Sequence, residues 1–138
     1  MPKYLAGKLS STSQDSYGLA PSYASKILGS EKHLEWNASA ISIHNKIRAL
    51  YPWPVVQSSI NGVNIKLIKS SYDASCRFDI NEAGTIVDID KVKGIFVVAT
   101  SDGALLLEKV QPFGKKEMTV KEFVNGYRIS KGMRFNNA

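Results

Sequence analysis

Several features that mark particular protein classes are missing from this sequence. Its 138 residues include one cysteine, Cys76, so no disulfide can form within the chain. The two histidines, His33 and His44, have no metal-ligand spacing with that cysteine. No run of 18 or more apolar residues is present, and the first 30 residues lack the apolar core of a secretory signal. We therefore expect no metal site and no membrane contact, and the composition fits a reducing compartment.

Catalytic residue patterns are absent too. The sequence has no glycine-rich phosphate loop before a helix, no nucleophile elbow and no paired carboxylates on one face. Asp88 and Asp90 lie on the wet face of a predicted strand, where solubility and edge protection explain them better than catalysis. His44 has no nucleophile or carboxylate spaced with it. We expect no catalytic residue in this chain and no activity from it alone.

Charge is distributed unevenly along the chain. The formal net charge is +6, and residues 1–70 hold eight Lys or Arg against three Asp or Glu. Residues 71–108 hold three against seven, and residues 109–138 hold seven against two. Two basic blocks around an acidic middle indicate a positive face directed at a polyanion. The alternative is a solvated surface with a chance imbalance.

Two short helices are predicted. Asn37 is a potential N-cap for a helix over about 38–50. A second helix over about 120–127 begins with a capping box made by Thr119 and Glu122. The apolar face of the first helix comprises Ala40, Ile43, Ile47 and Leu50.

Short strands are predicted between the helices. Alternating or apolar runs cover 55–60, 63–68, 84–90, 95–100 and 104–110. Asn61-Gly62 between the first two runs predicts a type I′ hairpin. Five short strands with tight turns favour a mainly β fold, a small antiparallel OB-like barrel with one helix at each end. We expect residues 70–83 to form a long polar loop and residues 128–135 to add a short edge strand.

The change from helix to strand falls in the segment 48–54, which holds two prolines. Each proline disfavours the α region for the residue before it, so Tyr51 and Trp53 are predicted to be extended. We expect Leu50, Tyr51 and Trp53 to pack in the core and Arg48 to stay available for binding.

Binding is better supported than catalysis. Lys115 and Lys116 lie on a Pro/Gly loop between a predicted strand and a helix, which presents both charges from a fixed base. Seven further basic residues could share a face with them: Lys46, Arg48, Lys66, Lys69, Arg128, Lys131 and Arg134. Such a face would attract phosphates and release them with salt. Most aromatic residues are expected in the core, so phosphate contact is favoured over a single-strand-binding module that stacks bases.

Several motifs in order carry a family resemblance. They are Tyr23–Ile27, Leu34–Trp36 with Ser39-Ala40, Ile47–Ala49 followed by Pro52–Pro54, Thr100–Gly103, Gln111–Met118 and Gly132–Phe135. With these motifs the sequence closely resembles the C-terminal part of the methionyl-tRNA formyltransferase family over nearly the whole chain. The resemblance implies an oligonucleotide-binding-type barrel that helps to hold initiator Met-tRNA. The tRNA-facing surface of the family corresponds to Arg48, Lys115 and Lys116 here.

The family's chemistry is implied to lie elsewhere. Its enzymes transfer a formyl group from 10-formyltetrahydrofolate to the methionine amino group, using an N-terminal Rossmann-like domain that holds the folate and the catalytic Asn, His and Asp. None of these residues can be carried over to this chain. Residues 1–35 are expected to be the end of that catalytic domain plus a linker, with 2–9 resembling its last helix, and 36–138 the C-terminal domain.

The expected partners are initiator Met-tRNA and a formyltransferase catalytic domain, in cis or in trans. The chain would then be a fragment or the product of a split or truncated gene, in the bacterial cytoplasm or an organelle. The alternative is an accessory C-terminal domain of another folate-dependent formyltransferase that binds no tRNA.

Overall fold

A computed structural model describes Gly7 and residues 10–137, and this part of the chain is mainly β. Seven antiparallel strands form a curled half-barrel with two helices, which confirms the predicted fold class. The helices are α1 (Ala40–Ala49) and α2 (Val120–Tyr127). The strands are β1 (Gln57–Ile60), β2 (Val63–Asp73), β3 (Ile86–Asp90), β4 (Ile95–Ala99), β5 (Ala104–Pro112), β6 (Met118–Thr119) and β7 (Phe135–Asn137). The helix end predicted over 2–9 lies outside the described residues.

The strands follow the order β3-β4-β5-β2-β1-β7, and β6 pairs with β5. The hairpin between β1 and β2 turns at Asn61 and Gly62, which both have positive φ, as predicted. β2 continues to Asp73 because its second half pairs with the first half of β5. The predicted loop over 70–83 is therefore too long. The polar residues Ser70 and Ser71 carry no sequence signal for a strand. They are part of one because backbone pairing with β5 does not require apolar side chains.

The C-terminal segment joins the two ends of the sheet. Thr85, just before β3, forms an antiparallel bridge with Arg134, and three backbone hydrogen bonds of 2.8 Å flank that bridge. The chain then enters β7, which pairs with β1. We call the bridge between Thr85 and Arg134, together with its three flanking hydrogen bonds, the seam. An edge strand was predicted within 128–135; the strand exists but begins only at Phe135.

Helix α1 packs its predicted apolar face on the sheet, mainly against β2. Ala40, Ile43 and Ile47 are buried. The N-cap is Ser39, whose Oγ accepts a hydrogen bond from the Ser42 backbone N–H, so the prediction of Asn37 as the cap is wrong. The helix starts later than predicted because its first residue is held by a backbone hydrogen bond to the β4–β5 turn.

We call the described residues before α1 the lead-in, and Trp36 connects this segment to strands β1 and β7. The side chain is buried, and its ring stacks on Phe135 with 5.0 Å between centroids. Its Nε1–H donates to Ser58 Oγ at 3.2 Å, and that hydroxyl donates to the Asn136 carbonyl at 2.7 Å. The segment before α1, strand β1 and strand β7 therefore form one packed unit.

The β4–β5 turn lies against the start of α1 and the end of β2. The Ala40 N–H donates to the Asp102 carbonyl at 2.9 Å. Gly103 has a φ of +87°, and a Cβ there would lie 2.8 Å from the Asp73 carbonyl oxygen and 3.2 Å from Ala40 Cβ. Both the backbone conformation and the close approach therefore require glycine.

Gly103→Ala should destabilise the fold by about 1–3 kcal/mol through the positive φ, with a further loss from the clash with Asp73. Gly132→Ala is the matched control, because Gly132 has a φ of +91° and a Cβ added there would meet no described atom within 4 Å. Urea unfolding of the two variants should give a lower midpoint for Gly103→Ala. Equal midpoints would show that the close approach contributes nothing.

A capping box starts α2, as predicted. The Thr119 N–H donates to Glu122 Oε2 at 2.8 Å, and the Glu122 N–H donates to Thr119 Oγ1 at 3.3 Å. The backbone and side-chain hydrogen bonds from Thr119 lower the pKa of Glu122 below its usual 4.5. The ionised carboxylate therefore stabilises the folded state above that pH, and the contribution is lost as the pH falls through the folded pKa.

Glu122→Gln should be less stable than the parent chain at pH 7, because the amide keeps the acceptor but loses the charge at the helix N-terminus. The stability difference should shrink as the pH is lowered below 4.5, where the parent carboxylate becomes neutral. Thermal unfolding from pH 7 to pH 3 measures this difference. A difference that stays constant over that range would contradict the role assigned to the charge.

Candidate nucleic-acid interface

Basic side chains line the outer surface of β2 and β5. Lys66 lies between the fully buried Ile65 and Leu67, so its side chain points away from the core. Its strand partners, Gln57 of β1 and Gln111 of β5, form one polar row with it. These three residues place a cation at the centre of an outward-facing row.

A second row lies farther along the same surface. Lys69 of β2 is paired with Lys109 of β5, which in turn is paired with Thr119 of β6. Lys69 Nζ contacts Glu108 Oε2 at 2.8 Å, so one of the two lysine charges is balanced locally. Lys109 is exposed.

Lys109 was not predicted as a site residue. Two consecutive polar residues, Glu108 and Lys109, separate the buried Leu107 from the buried Val110, which breaks the alternation expected of a strand. The register shift at Lys69 in β2 accommodates them. The adjacent polar residues are the local signal of this irregularity, but they do not show which residue of β2 Lys109 pairs with, because the shift lies in that strand.

The loop between β5 and β6 extends from the end of this surface. The Phe113 N–H donates to the Asn64 carbonyl at 3.1 Å, and the Lys115 N–H donates to the Pro112 carbonyl at 3.0 Å. Gln111 Nε2 donates to the Lys115 carbonyl at 2.9 Å. Lys115 and its neighbour Lys116 are exposed on this hydrogen-bonded backbone. The fixed presentation expected from the sequence is present.

The proline corner lies beside that loop. The Tyr51 hydroxyl donates to Glu117 Oε1 at 3.4 Å, which connects the two proline-containing segments. The corner is a turn closed by a hydrogen bond from the Val55 N–H to the Leu50 carbonyl at 2.9 Å, and the peptide bonds before both of its prolines are cis. Arg48 lies in the last turn of α1, three residues before Tyr51.

The clearest difference between the sequence prediction and the structure is the exposure of the aromatic side chains at this corner. Tyr51 is 46% exposed and Trp53 is 66% exposed, so the prediction that both pack in the core is wrong. Leu50 is buried as predicted. Because the turn brings Val55 back to the helix end, Val55 and the next residue fill the core, and the aromatic side chains project outwards.

Phe113 adds a third exposed aromatic side chain. It is 48% exposed, and Lys66 Nζ lies 5.9 Å from its ring centroid, within the range of a cation–π contact. The expectation that the core uses most of the aromatic residues is wrong for this part of the chain. The four aromatic side chains that are buried in the core lie elsewhere in the chain: Trp36, Phe96, Phe123 and Phe135.

The two basic residues of α1 lie on different flanks. His44 Nδ1 is 3.0 Å from Ser70 Oγ, so this flank of the helix faces β2. Arg48 is one turn farther along on the same flank and is exposed. Lys46 lies on the other flank, where its Nζ donates to the His33 carbonyl.

The remaining predicted site residues lie in the C-terminal segment. Arg128 caps α2 in the left-handed conformation, and Lys131 is exposed in the following turn. Arg134 Nε donates to the Ala83 carbonyl at 3.0 Å beside the seam. The seam joins β3 to the chain end, whereas β2 and β5 lie in the middle of the strand order.

The structure therefore divides the predicted set. We define the basic face as Lys66, Lys69, Lys109, Lys115 and Lys116. Arg48 lies on α1, which packs on the inner side of β2. Lys46, Arg128, Lys131 and Arg134 also lie outside the face. Contact of any of these residues with tRNA stays a prediction.

Other kinds of site receive no support from the part of the chain that the structure describes. No group of three or more His, Cys, Asp or Glu side chains there could hold a metal ion. Within the same residues, no helix is long and apolar enough to cross a bilayer. A cleft of about 340 Å³ between the lead-in and α1 is wide open and lined by residues such as Ser30, Glu35 and Lys46.

Comparison with known proteins gives the family. Residues 26–128 match the family model described as formyl transferase, C-terminal domain. The chain belongs to this family. The resemblance drawn from the sequence motifs is thereby confirmed.

Relatives of this formyl transferase C-terminal domain carry the name methionyl-tRNA formyltransferase. The protein from Streptococcus thermophilus is 37% identical over 126 residues, which cover 91% of this chain and 38% of that protein. The protein from Bacillus subtilis is 36% identical, covering 96% and 40%, and that from Dictyoglomus thermophilum is 38% identical, covering 98% and 42%. The chain thus spans about two fifths of the length of these relatives.

Solved structures share the fold of this domain at low sequence identity. HypX from Aquifex aeolicus in complex with tetrahydrofolic acid has a TM-score of 0.59 and 13% identity, covering 89% of this chain and 21% of that one. A multiple-substitution variant of HypX has a TM-score of 0.62 and 12% identity, covering 91% and 21%. This likeness supports the architecture and carries no argument about function.

The exposed position of Trp53 can be tested by fluorescence quenching with acrylamide. The domain has two tryptophans, Trp36 at 3% exposure and Trp53 at 66%. Trp53→Phe should remove nearly all of the quenchable emission, whereas Trp36→Phe should leave it. Equal quenching of the two variants would show that Trp53 packs in the core, as the sequence predicts.

Proposed function

We propose that this domain binds tRNA through the basic face. In this role it helps to position initiator Met-tRNA for N-formylation from 10-formyltetrahydrofolate during translation initiation. The observation that carries the proposal is the grouping of five lysine side chains on the outer side of β2 and β5 and on the β5–β6 loop. Relatives named methionyl-tRNA formyltransferase support tRNA as the polyanion.

The charge of the basic face is mostly uncompensated. Among the described residues, Lys69 is the one member of the face that forms an ion pair, with Glu108. Glu117, the acidic residue of the neighbouring loop, accepts a hydrogen bond from Tyr51. Lysine side chains arranged in this way neutralise phosphates and release counterions. Binding should therefore be salt-sensitive and should discriminate little between sequences.

The chemistry of formyl transfer belongs, in this proposal, to a catalytic domain that accompanies this one in cis or in trans. That domain would hold the folate and the catalytic residues, and the present chain would be inactive alone. Residues 1–35 would connect the two domains, and 36–138 would form the tRNA-binding unit.

A second function is favoured by the lead-in. Leu19, Tyr23 and Leu28 are 80%, 92% and 60% exposed, and apolar side chains exposed in this number are typical of a surface that contacts another protein unit. In this alternative the domain packs against a catalytic domain and stabilises it without holding tRNA. The isolated chain would then show no tRNA affinity even at low ionic strength.

Reversing two charges of the basic face separates these functions. Lys115→Glu with Lys116→Glu should weaken tRNA binding at least about tenfold at low salt, because two phosphate contacts become repulsive. The slope of log K against log salt should also become shallower by about 1.5. Filter binding or fluorescence anisotropy with labelled tRNA at about 50–200 mM salt measures both quantities.

Lys91→Glu with Lys121→Glu is the matched control. It makes the same change in net charge, and both residues are exposed beside the β3–β4 turn and α2, outside the basic face. Affinity should fall much less in this variant. Equal losses in the two double variants would mean that net charge, and not the basic face, determines binding.

A further inference from the structure

We propose that Trp53 and Phe113 form a platform that stacks unpaired nucleotides of the bound RNA. This inference rests on the proposed function, since it assumes that the basic face meets RNA. It adds a second kind of contact, to bases, beside the contacts to phosphates.

Both rings are exposed, and neither is needed to fill the core. Trp53 is 66% and Phe113 is 48% exposed, and the core beneath the corner is filled by Leu50, Val55 and Val56. Exposed aromatic faces beside cations are the means by which proteins bind single-stranded nucleic acid, because every base has a face that can stack.

The backbone under each ring is held in place. Trp53 lies between two prolines with fixed φ, in a turn closed by the hydrogen bond from Val55 to Leu50. Phe113 is fixed by its own N–H, which donates to Asn64, and by the turn that follows it. Rigid backbones reduce the ordering cost of binding, so rings presented in this way are prepared for a ligand.

The two segments that carry the rings are neighbours. The hydrogen bond between Tyr51 and Glu117 connects the corner with the β5–β6 loop. Lys66 Nζ lies 5.9 Å from the Phe113 ring centroid, and Lys115 is two residues farther along the loop. A base on the Phe113 ring would thus have cations within reach of its own or the next phosphate.

These surroundings favour RNA over a protein as the occupant. Lysine is depleted at the centres of protein–protein interfaces, because burying an unpaired ammonium group is costly. Here, Lys66 Nζ lies over the Phe113 ring, 5.9 Å from its centroid, and Lys115 and Lys116 follow that ring in the chain. The stacked bases must also be unpaired, since the faces of bases within a duplex are already covered by their neighbours.

Tryptophan fluorescence provides the test. In the full chain with Trp36→Phe, Trp53 is the single fluorophore of its kind. A single-stranded oligouridine RNA should quench its emission, and a blunt RNA duplex of equal charge should not. In the parent chain, Trp53→Leu and Phe113→Leu should each weaken oligouridine binding at least about fivefold by loss of stacking.

Tyr23→Leu is the control, because Tyr23 is 92% exposed in the lead-in, outside the platform, and its variant should bind oligouridine like the parent chain. Absence of quenching by the single strand, or equal quenching by the duplex, would overturn the platform. Shielding of Trp53 by a formyltransferase catalytic domain in the absence of RNA would also overturn the platform.

The outcomes also distinguish this inference from the proposed function. If Lys115→Glu with Lys116→Glu abolishes tRNA binding while oligouridine leaves Trp53 unquenched, the phosphate contacts are supported and the platform is refuted. If oligouridine quenches Trp53 while the charge reversals leave tRNA binding unchanged, the platform is supported and the phosphate contacts are refuted.

Discussion

The pairing of β2 with β5 is the interaction on which the other contacts depend. It is the most extensive ladder of the sheet, running from Ile65 with Pro112 to Asp73 with Ala104. Helix α1 packs against β2, while the other edge of β5 pairs first with β4 and then with β6. The inner side chains of the ladder form the core, and the outer ones form the centre of the basic face. One ladder thus serves packing on its inner side and presents the proposed binding surface on its outer side.

Much of this architecture could be predicted because its signals are local. The Asn61-Gly62 turn, the apolar face of α1 and the capping box of Thr119 and Glu122 each depend on residues within one turn or one strand. The fold class followed from these elements and from their spacing. Family motifs such as those around the prolines added the expectation of an OB-like barrel.

Most of the errors concern features set by distant partners. The second half of β2 is polar in sequence and exists because β5 lies opposite it. Lys109 reaches the basic face through a register shift at Lys69. Tyr51 and Trp53 are exposed because the corner turns back to the helix end and lets Val55 take the buried place. The predicted basic set was divided for the same reason, since charge counts along a chain do not show on which side of a sheet each residue falls.

The long-range ties made by Trp36 have a consequence for the order of folding. The Trp36 N–H donates to Asn137 Oδ1 across 101 residues of sequence, whereas the hairpins at 60–63 and 99–104 close within a few residues. Closing so long a loop costs more entropy than closing a hairpin, so contacts of this kind form late on a folding pathway. The basic face draws on residues between 66 and 116 and needs none of the seam contacts. We therefore expect this surface to assemble while the ends of the chain are still free, and the barrel to close around a face that is already in place.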